Sequence, residues 1–505
     1  MTAKIVCLVL FVVVTVAIGI YSRSKIRGMD DFFLGSRSLG PWMTAFAYGT
    51  SYFSAVVFVG YAGNFGWNMG LSTLWIAIGN AIFGCLVPWL VLGSRTRSMT
   101  RRLGVSTMPE FFAVRFDSKA LKIVAAFIIF VFLVPYTASI YKGLGFMFEH
   151  AFGLPMVWVI LGMSALTCIY LVLGGYVATA INDFFQGLIM LVGSVLMVLY
   201  VINRPEIGGI SAAVATLHQI STEGAKDLGL TSVFGPAPLR LLGLVILTSF
   251  GTWGMPQMLH KFYAVRDEKA IRRGAVISTV FALVIGFGAY FTGAFGRVFL
   301  GNRMPEVGGV DAIMPTILAT SLPDVLFGVI LVLMLSASMS TLAALVLVSS
   351  SVISIDFVKG FVKPDIKPKA QMSIMQLCCV VFIALSFFMA VWPNSTVNVL
   401  MALSWGLISG MFLAPYLFGL LWKGTTKAGA WAGFVTGFAA MAIGVITQLP
   451  AVDGNFGKLF MPGIGSVAMV LSVIVVPVVS LVTKKHDAAH LTRIFGETAK
   501  DADAA

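Results

Sequence analysis

Three polar stretches interrupt long apolar runs in this chain of 505 residues, and all three offer similar chemistry. The first reads Tyr48, Gly49, Thr50, Ser51, Tyr52, Phe53, Ser54. The second runs from Leu247 through Thr248, Ser249, Thr252 and Trp253 to Gly254 and Pro256. The third contains Ser336, Ala337, Ser338, Ser340 and Thr341. Hydroxyls and backbone carbonyls are hard oxygen ligands, and enough of them can replace the hydration shell of a hard cation without a charged ligand. Ser336 and Ser340 lie four residues apart and share one helix face, with Thr341 beside Ser340. Gly49 in the first stretch, and Gly251, Gly254 and Pro256 in the second, would let a helix unwind. Unwinding frees carbonyls for a cation and N–H groups for an anion. Each stretch also has a plainer reading: small residues packing helix on helix, a proline kink, or hydroxyls bonded back to the preceding turn. One acidic residue, Asp183, joins the set from the stretch 178–187. A carboxyl at that depth marks a cation exit route, or else an interfacial carboxylate or a helix cap.

Composition decides what elements position these groups. The chain is 58% hydrophobic and 11% charged, against about 25% charged in an average soluble domain. A soluble fold could not hide that apolar surface; a bilayer accepts it. Thirteen apolar stretches reach spanning length, at roughly 3–22, 42–67, 71–93, 120–148, 156–174, 178–203, 237–259, 274–299, 323–353, 371–392, 397–421, 428–449 and 463–483. The first is read as a retained helix rather than a cleaved leader, because its basic residues follow it and no small-residue cleavage site appears.

The formal charge of +13 would suggest nucleic acid in a soluble protein. Here most Lys and Arg residues fall in alternate loops, among them Arg23, Lys25, Arg27 and Arg37, then Arg95 to Lys122, Lys261 to Arg273, Lys359 to Lys369, Lys423, Lys427, and Lys484 to Lys500. That bias places the N-terminus outside and the C-terminal tail in the cytoplasm of a cell inner membrane. Lys142 and Arg297, inside spans, read as snorkelling cations. The five cysteines lie in apolar runs and imply no disulfide framework, and no His or Cys spacing implies a metal beyond an alkali cation. The outer loop 204–236 has room for a short amphipathic helix, and the tail 484–505 reads as partly disordered.

The first two polar stretches are five spans apart. An odd offset reverses direction through the membrane, so spans 2–6 (42–203) and 7–11 (237–421) form an inverted repeat, each half opening with a broken helix. Paired breaks of this kind point to a midplane binding site. The remaining divisions are 1–41, the loop 204–236, the two C-terminal spans in 422–483, and the tail 484–505.

At these residues the chain resembles the sodium:solute symporter family, in particular its sodium/proline branch. The resemblance is carried by 31–41, by Gly174, Gly175 and Tyr176 with Asp183, Gln186 and Gly187, by Gly254, Met255 and Pro256 with Phe262, and by 338–341. It implies an all-α membrane protein with a LeuT-like core. It also implies a main Na+ site between spans 2 and 9, made by the carbonyls of Thr50, Phe53 and Ala337 and the hydroxyls of Ser340 and Thr341. Proline carriers have an acid where this chain has Tyr52, and aromatics where it has Thr248 and Thr252, which argues against proline as the solute. Some relatives add a second sodium site with two hydroxyls where this chain has Ala343 and Ala344. One coupled sodium is therefore expected.

The implied activity is sodium-driven symport by alternating access, without covalent chemistry. Cation and solute each raise the other's affinity by ordering the same broken helix. The membrane potential contributes about 2.3 kcal/mol per charge per 100 mV. Position and polarity nominate Tyr52, Ser54, Tyr136, Thr252, Trp253 and Trp405 as solute contacts. Half-helix N-termini favour a small amino acid or carboxylate. The alternatives are a sugar or vitamin symporter, or a proton-coupled carrier if Asp183 titrates. A pore would need continuous polar stripes and an enzyme clustered acids, bases or metal ligands; neither pattern is present. The expected partners are a small-molecule substrate, sodium and the lipid bilayer, with no nucleic acid and a monomer as a plausible state.

Overall fold

The computed structural model describes residues 2–23, 29–204, 207–223, 227–392 and 396–496. Lys25, Arg27, Lys226, Lys500 and the tail beyond 496 lie outside the described residues. The described chain is built of helices, because in lipid each backbone N–H and C=O must be satisfied within its own segment. Eleven of them are long and apolar enough to cross a membrane. The expected thirteen is not reproduced by that measure. Val56–Leu103 qualifies as one helix although Gly70 (φ 58°) interrupts it, and Met156–Ile202, broken at Gly175, is counted only through Ala178–Ile202.

Burial ranks these helices. In the crossing stretches of Asp324–Val362 and Val397–Leu421, 94% of residues are buried, against 17% in Thr2–Ser22. The first two form the centre of the bundle and carry Ser340, Thr341 and Trp405. Lys427–Gln448 and Met461–Val482 pack on Val397–Leu421 through glycine. A Cβ at Gly437 would strike the Gly410 carbonyl, and Gly406 faces Gly465, so these backbones approach as only small residues allow.

Both expected breaks are present, the first displaced from Gly49 and the second at Gly251 and Gly254. Pro41–Tyr52 is helical through Gly49, whose missing side chain makes room for the Phe281 ring. The helix ends at Phe53 (φ −105°, ψ 119°), and a π-helical segment, Val56–Gly63, resumes after Ser54. Gly49 is thus a packing residue, not the hinge. In the second region a π-helical turn, Ile246–Phe250, and a 3₁₀ turn, Gly251–Trp253, lead to extended Met255 (φ −80°, ψ 120°). Pro256 then opens Pro256–Ala264. It kinks no helix; its missing N–H falls at a first turn, where a donor would be orphaned anyway. Met156–Ile202 changes direction at Gly175 (φ 49°, ψ −151°), where a Cβ would press on Phe32.

One face of the bundle is tied by its loops. Leu39 pairs with Val265, through Leu39 N–H to Ala264 O (3.4 Å) and Arg266 N–H to Leu39 O (3.0 Å). Arg97 donates to Val265 O (3.2 Å) and Arg266 O (2.6 Å), and Arg101 to Arg37 O (2.9 Å). The loop after residue 204 contains the helix Gly209–Thr222. Within the described part of the tail, Ala488–Phe495 is helical, Ile494 is buried, and Arg115 lies 5.1 Å from the Phe495 ring.

Candidate cation and solute site

The first break meets the central helix side by side. Thr341 Oγ1 lies 3.0 Å from Ala337 O, 3.2 Å from Thr50 O and 3.4 Å from Ser51 O. Ser340 Oγ donates to Thr50 Oγ1 (2.7 Å), which donates to Phe46 O (2.8 Å). Ser338 Oγ accepts from Ala55 N–H (3.1 Å), just past the break. Thr50, Ser340 and Thr341 are buried. The result is an uncharged cluster of hydroxyls and carbonyls shared between a broken and an unbroken helix, the donor set a hard monovalent cation requires. Four of the five expected ligands, Thr50, Ala337, Ser340 and Thr341, are brought together here. Phe53 supplies the extended backbone at the break, and Ser51 O joins the cluster. Sequence reasoning missed Ser51 and Ser338, although both lie inside the polar stretches it singled out.

The second break is organised differently. Tyr52 Oη donates to Thr248 O (2.5 Å) and joins the two broken helices directly. Gly84 O accepts from Tyr48 Oη (2.8 Å) and Thr252 Oγ1 (3.2 Å). Ser249 Oγ donates to Asn80 Oδ1 (3.1 Å) and Ser409 Oγ to Gly251 O (2.7 Å). Asn80–Leu86 is itself π-helical, a distortion that recurs at functional sites. Asn80 was the sequence signal for it: a lone amide within an apolar span.

Aromatic rings fill the space between. Tyr52 stacks on Trp405 (centroids 6.0 Å, 14°), and Tyr136 meets Trp405 edge-on (5.8 Å, 87°). Tyr136 Oη and Trp405 Nε1 are buried without a well-formed hydrogen bond. Of the expected solute contacts, Tyr52, Tyr136 and Trp405 therefore cluster. Ser54 caps the next helix, its Oγ accepting from Val56 N–H (3.3 Å). Thr252 is held by Gly84 and Ser249. Trp253 donates to Phe83 O (2.7 Å) and packs on Phe250, which stacks on Phe83, so it is engaged on that side instead.

Charge enters from one direction. Lys261, assigned from sequence to a loop, lies in Pro256–Ala264 and is buried, with Nζ 3.6 Å from Asp183 Oδ2. Asp183 also adjoins Ser340. Lys142 does not snorkel: it is 7% exposed. Arg297 is held by Trp67 O (2.8 Å) and by Asn302 Oδ1 (2.7 Å).

The sequence model of the sodium:solute symporter family matches residues 32–437. The chain belongs to that family. It is a multi-pass membrane protein, a sodium-coupled symporter of a small organic solute and not an enzyme, and Na+ is its coupling ion. The symporter is 29% identical over 493 residues to sodium/proline symporter 2 of Staphylococcus saprophyticus, covering 95% of this chain and 93% of that one. It is likewise 29% identical to the osmoregulated proline transporter OpuE of Bacillus subtilis, with 97% of each chain covered. Among solved structures it superposes on a substrate-bound, outward-open Na+-coupled sialic acid symporter with a TM-score of 0.72 at 18% identity, covering 94% and 98% of the two chains. It superposes on Mhp1, a nucleobase-cation-symport-1 family transporter, with a TM-score of 0.53 at 15% identity, covering 92% and 98%. These likenesses show the fold, the LeuT-like arrangement expected from the sequence.

Proposed function

We propose that the symporter holds one Na+ between Pro41–Tyr52 and Asp324–Ser351, with ligands drawn from Thr50, Ser51, Phe53, Ala337, Ser340 and Thr341. The single observation that carries this is Thr341 Oγ1, within 3.4 Å of three carbonyls on two helices. A cation there replaces hydrogen bonds that hydroxyls make to carbonyls, and binds the broken helix to the central one. The solute sits beside it, against Tyr52, Tyr136 and Trp405, with Ser54, Thr252 and Trp253 forming the surrounding wall. Tyr136 Oη and Trp405 Nε1 offer donors. This favours a carboxylate-bearing solute: a small amino acid or carboxylate. The proline carried by the named relatives supports an amino acid, while Tyr52, bonded to Thr248 O, changes the pocket floor.

Alternating access then follows from rocking of the repeats 42–203 and 237–421, with the cation and solute at their junction. The basic loops give an inner-membrane orientation with the N-terminus outside and the C-terminus cytoplasmic. Within that orientation Asp183 lies on the inward route for the cation. All residues of the candidate site come from one chain, which supports a monomer as the transporting unit.

The test is uptake into proteoliposomes under an inward sodium gradient, across amino acids including proline, short carboxylates, vitamins and sugars. Sodium-dependent uptake of one amino acid or carboxylate is expected. Uptake restricted to sugars, or independent of sodium, would overturn the reading of this pocket.

A further inference from the structure

Lys261 and Asp183 form an ion pair with both side chains 1% exposed, 3.6 Å apart. The ammonium also lies 5.3 Å from the Tyr176 ring centroid. On the other side Asp183 adjoins Ser340, whose hydroxyl is bonded to Thr50. A continuous line therefore runs from Lys261 through Asp183 and Ser340 into the oxygen cluster.

Two features separate this pair from a structural salt bridge. Burying two charges costs several kcal/mol per ion, and the attraction repays it only when the remaining lone pairs are satisfied. Here both Asp183 oxygens lack a hydrogen bond of normal geometry, and so do the neighbouring side chains of Asn182, Gln186 and Gln257 and the Tyr176 hydroxyl. Such an environment is poorly built for stability and well built for a charge with a task. The second feature is position. A bare carboxylate adjoining a cation ligand would attract a cation of its own, even without the two hydroxyls that Ala343 and Ala344 replace. An ammonium fixed beside it supplies that charge without a mobile ion, and travels with Pro256–Ala264.

We propose that Lys261 is a tethered counter-cation to Asp183, standing where a second mobile cation would otherwise bind, and that it thereby limits the symporter to one sodium per chain. The proposal rests on the reading of the Thr50–Thr341 cluster as the sodium site.

The experiment is equilibrium binding of radioactive Na+ alone to purified full-length protein. The wild type should bind one ion per chain, Lys261→Met two, and the double variant Asp183→Asn with Lys261→Met one again. One ion per chain in Lys261→Met, or two in the double variant, overturns the proposal. If Lys261→Met does not fold, Asp183→Asn decides. Its unpaired ammonium beside the cluster should weaken Na+ binding about tenfold or more, with recovery in the double variant; wild-type affinity in Asp183→Asn overturns the proposal. Thr341→Ala distinguishes the two readings. Full binding in Thr341→Ala removes the cluster as the sodium site. Lost binding there, with a single ion in Lys261→Met, removes only the role of Lys261.

Discussion

The two broken helices solve one problem in different ways. At Phe53–Ser54 the helix stops abruptly, and the carbonyls of Thr50 and Ser51 face the single hydroxyl of Thr341. At Gly251–Met255 the chain loosens through π and 3₁₀ turns, and its polar groups are already committed. Thr248 O is taken by Tyr52, Gly251 O by Ser409, and the Ser249 hydroxyl by Asn80. Carbonyls clustered around one hydroxyl can exchange it for a cation; at the second break Tyr52, Ser409 and Asn80 each come from a different helix, so exchanging them would part elements that the break holds together. The first break is thus chemically available, and the second is a scaffold that shapes the pocket.

The sharpest way to break this contrast is Ser340→Ala with Thr341→Ala. Losing two ligands at about 1–3 kcal/mol each should raise the sodium concentration for half-maximal response by about a hundredfold or more, read as a sodium-induced thermal shift. An unchanged response would mean that the two breaks do not differ in this way.

The next effect is on stability and bears on the framework behind the second break. Asp311 Oδ2 accepts from Val397 N–H (3.1 Å), at the start of the helix that carries Trp405 and Ser409. Burial pushes the Asp311 carboxyl up to about 6, against the pull of the Val397 N–H and of Lys142. A folded-state value above the ordinary 3.8 favours the protonated form, so this contribution is full below about pH 4 and lost as pH rises through about 6. Asp311→Asn, neutral and still able to accept from Val397, should gain stability at pH 7.5 by up to about 3 kcal/mol, with the gain vanishing toward pH 4. Thermal unfolding of the two proteins across pH 4–8 measures the difference. A constant offset would show that Asp311 does not titrate with folding.

The contrast between the breaks was only half legible in the sequence. Apolar run length gave the helices, and the hydroxyls of Thr50, Ser340 and Thr341 stand out at mid-membrane depth against Leu and Val, while their meeting between two spans was implied by the family resemblance alone. Gly49 misled, since glycine marks close approach as readily as a bend, and here it accommodates Phe281. Pro256 misled likewise, because a proline that opens a helix looks the same as one that kinks it. Lys261 was counted with the loop cations: sequence places it two residues beyond the expected span, and only the continuation of Pro256–Ala264 buries it against Asp183. Long-range pairing of that kind leaves no local pattern. The same applies to Asn80 and Ser249, 169 residues apart.

Tyr52→Phe probes the one bond that joins the two regions. The substitution leaves Thr248 O without its donor at a cost of about 1–3 kcal/mol, and keeps the ring stacked on Trp405. If the first break serves the cation and the second the solute, sodium affinity should hardly move, while solute affinity falls roughly tenfold. Equal loss of both would place the Tyr52 bond inside the sodium site.

Thr252→Val gives the smallest expected effect and separates wall from ligand. Thr252 Oγ1 donates to Gly84 O (3.2 Å) and Ser249 O (3.0 Å), and Gly84 O keeps Tyr48 Oη as a second donor. Removing the hydroxyl at nearly constant volume therefore does not strip the Gly84 carbonyl of its last partner, and costs the Ser249 carbonyl one bond. The cost should stay below about 1 kcal/mol in stability, near the net value of a single hydrogen bond, with solute affinity within a few-fold of wild type. A loss of solute affinity beyond about tenfold, at unchanged thermal stability, would mean that Thr252 leaves Gly84 to bind the solute during the cycle. The second break would then resemble the first, its hydroxyl exchanging a carbonyl for a ligand, and the division between an ion-binding break and a scaffolding one would have to be given up.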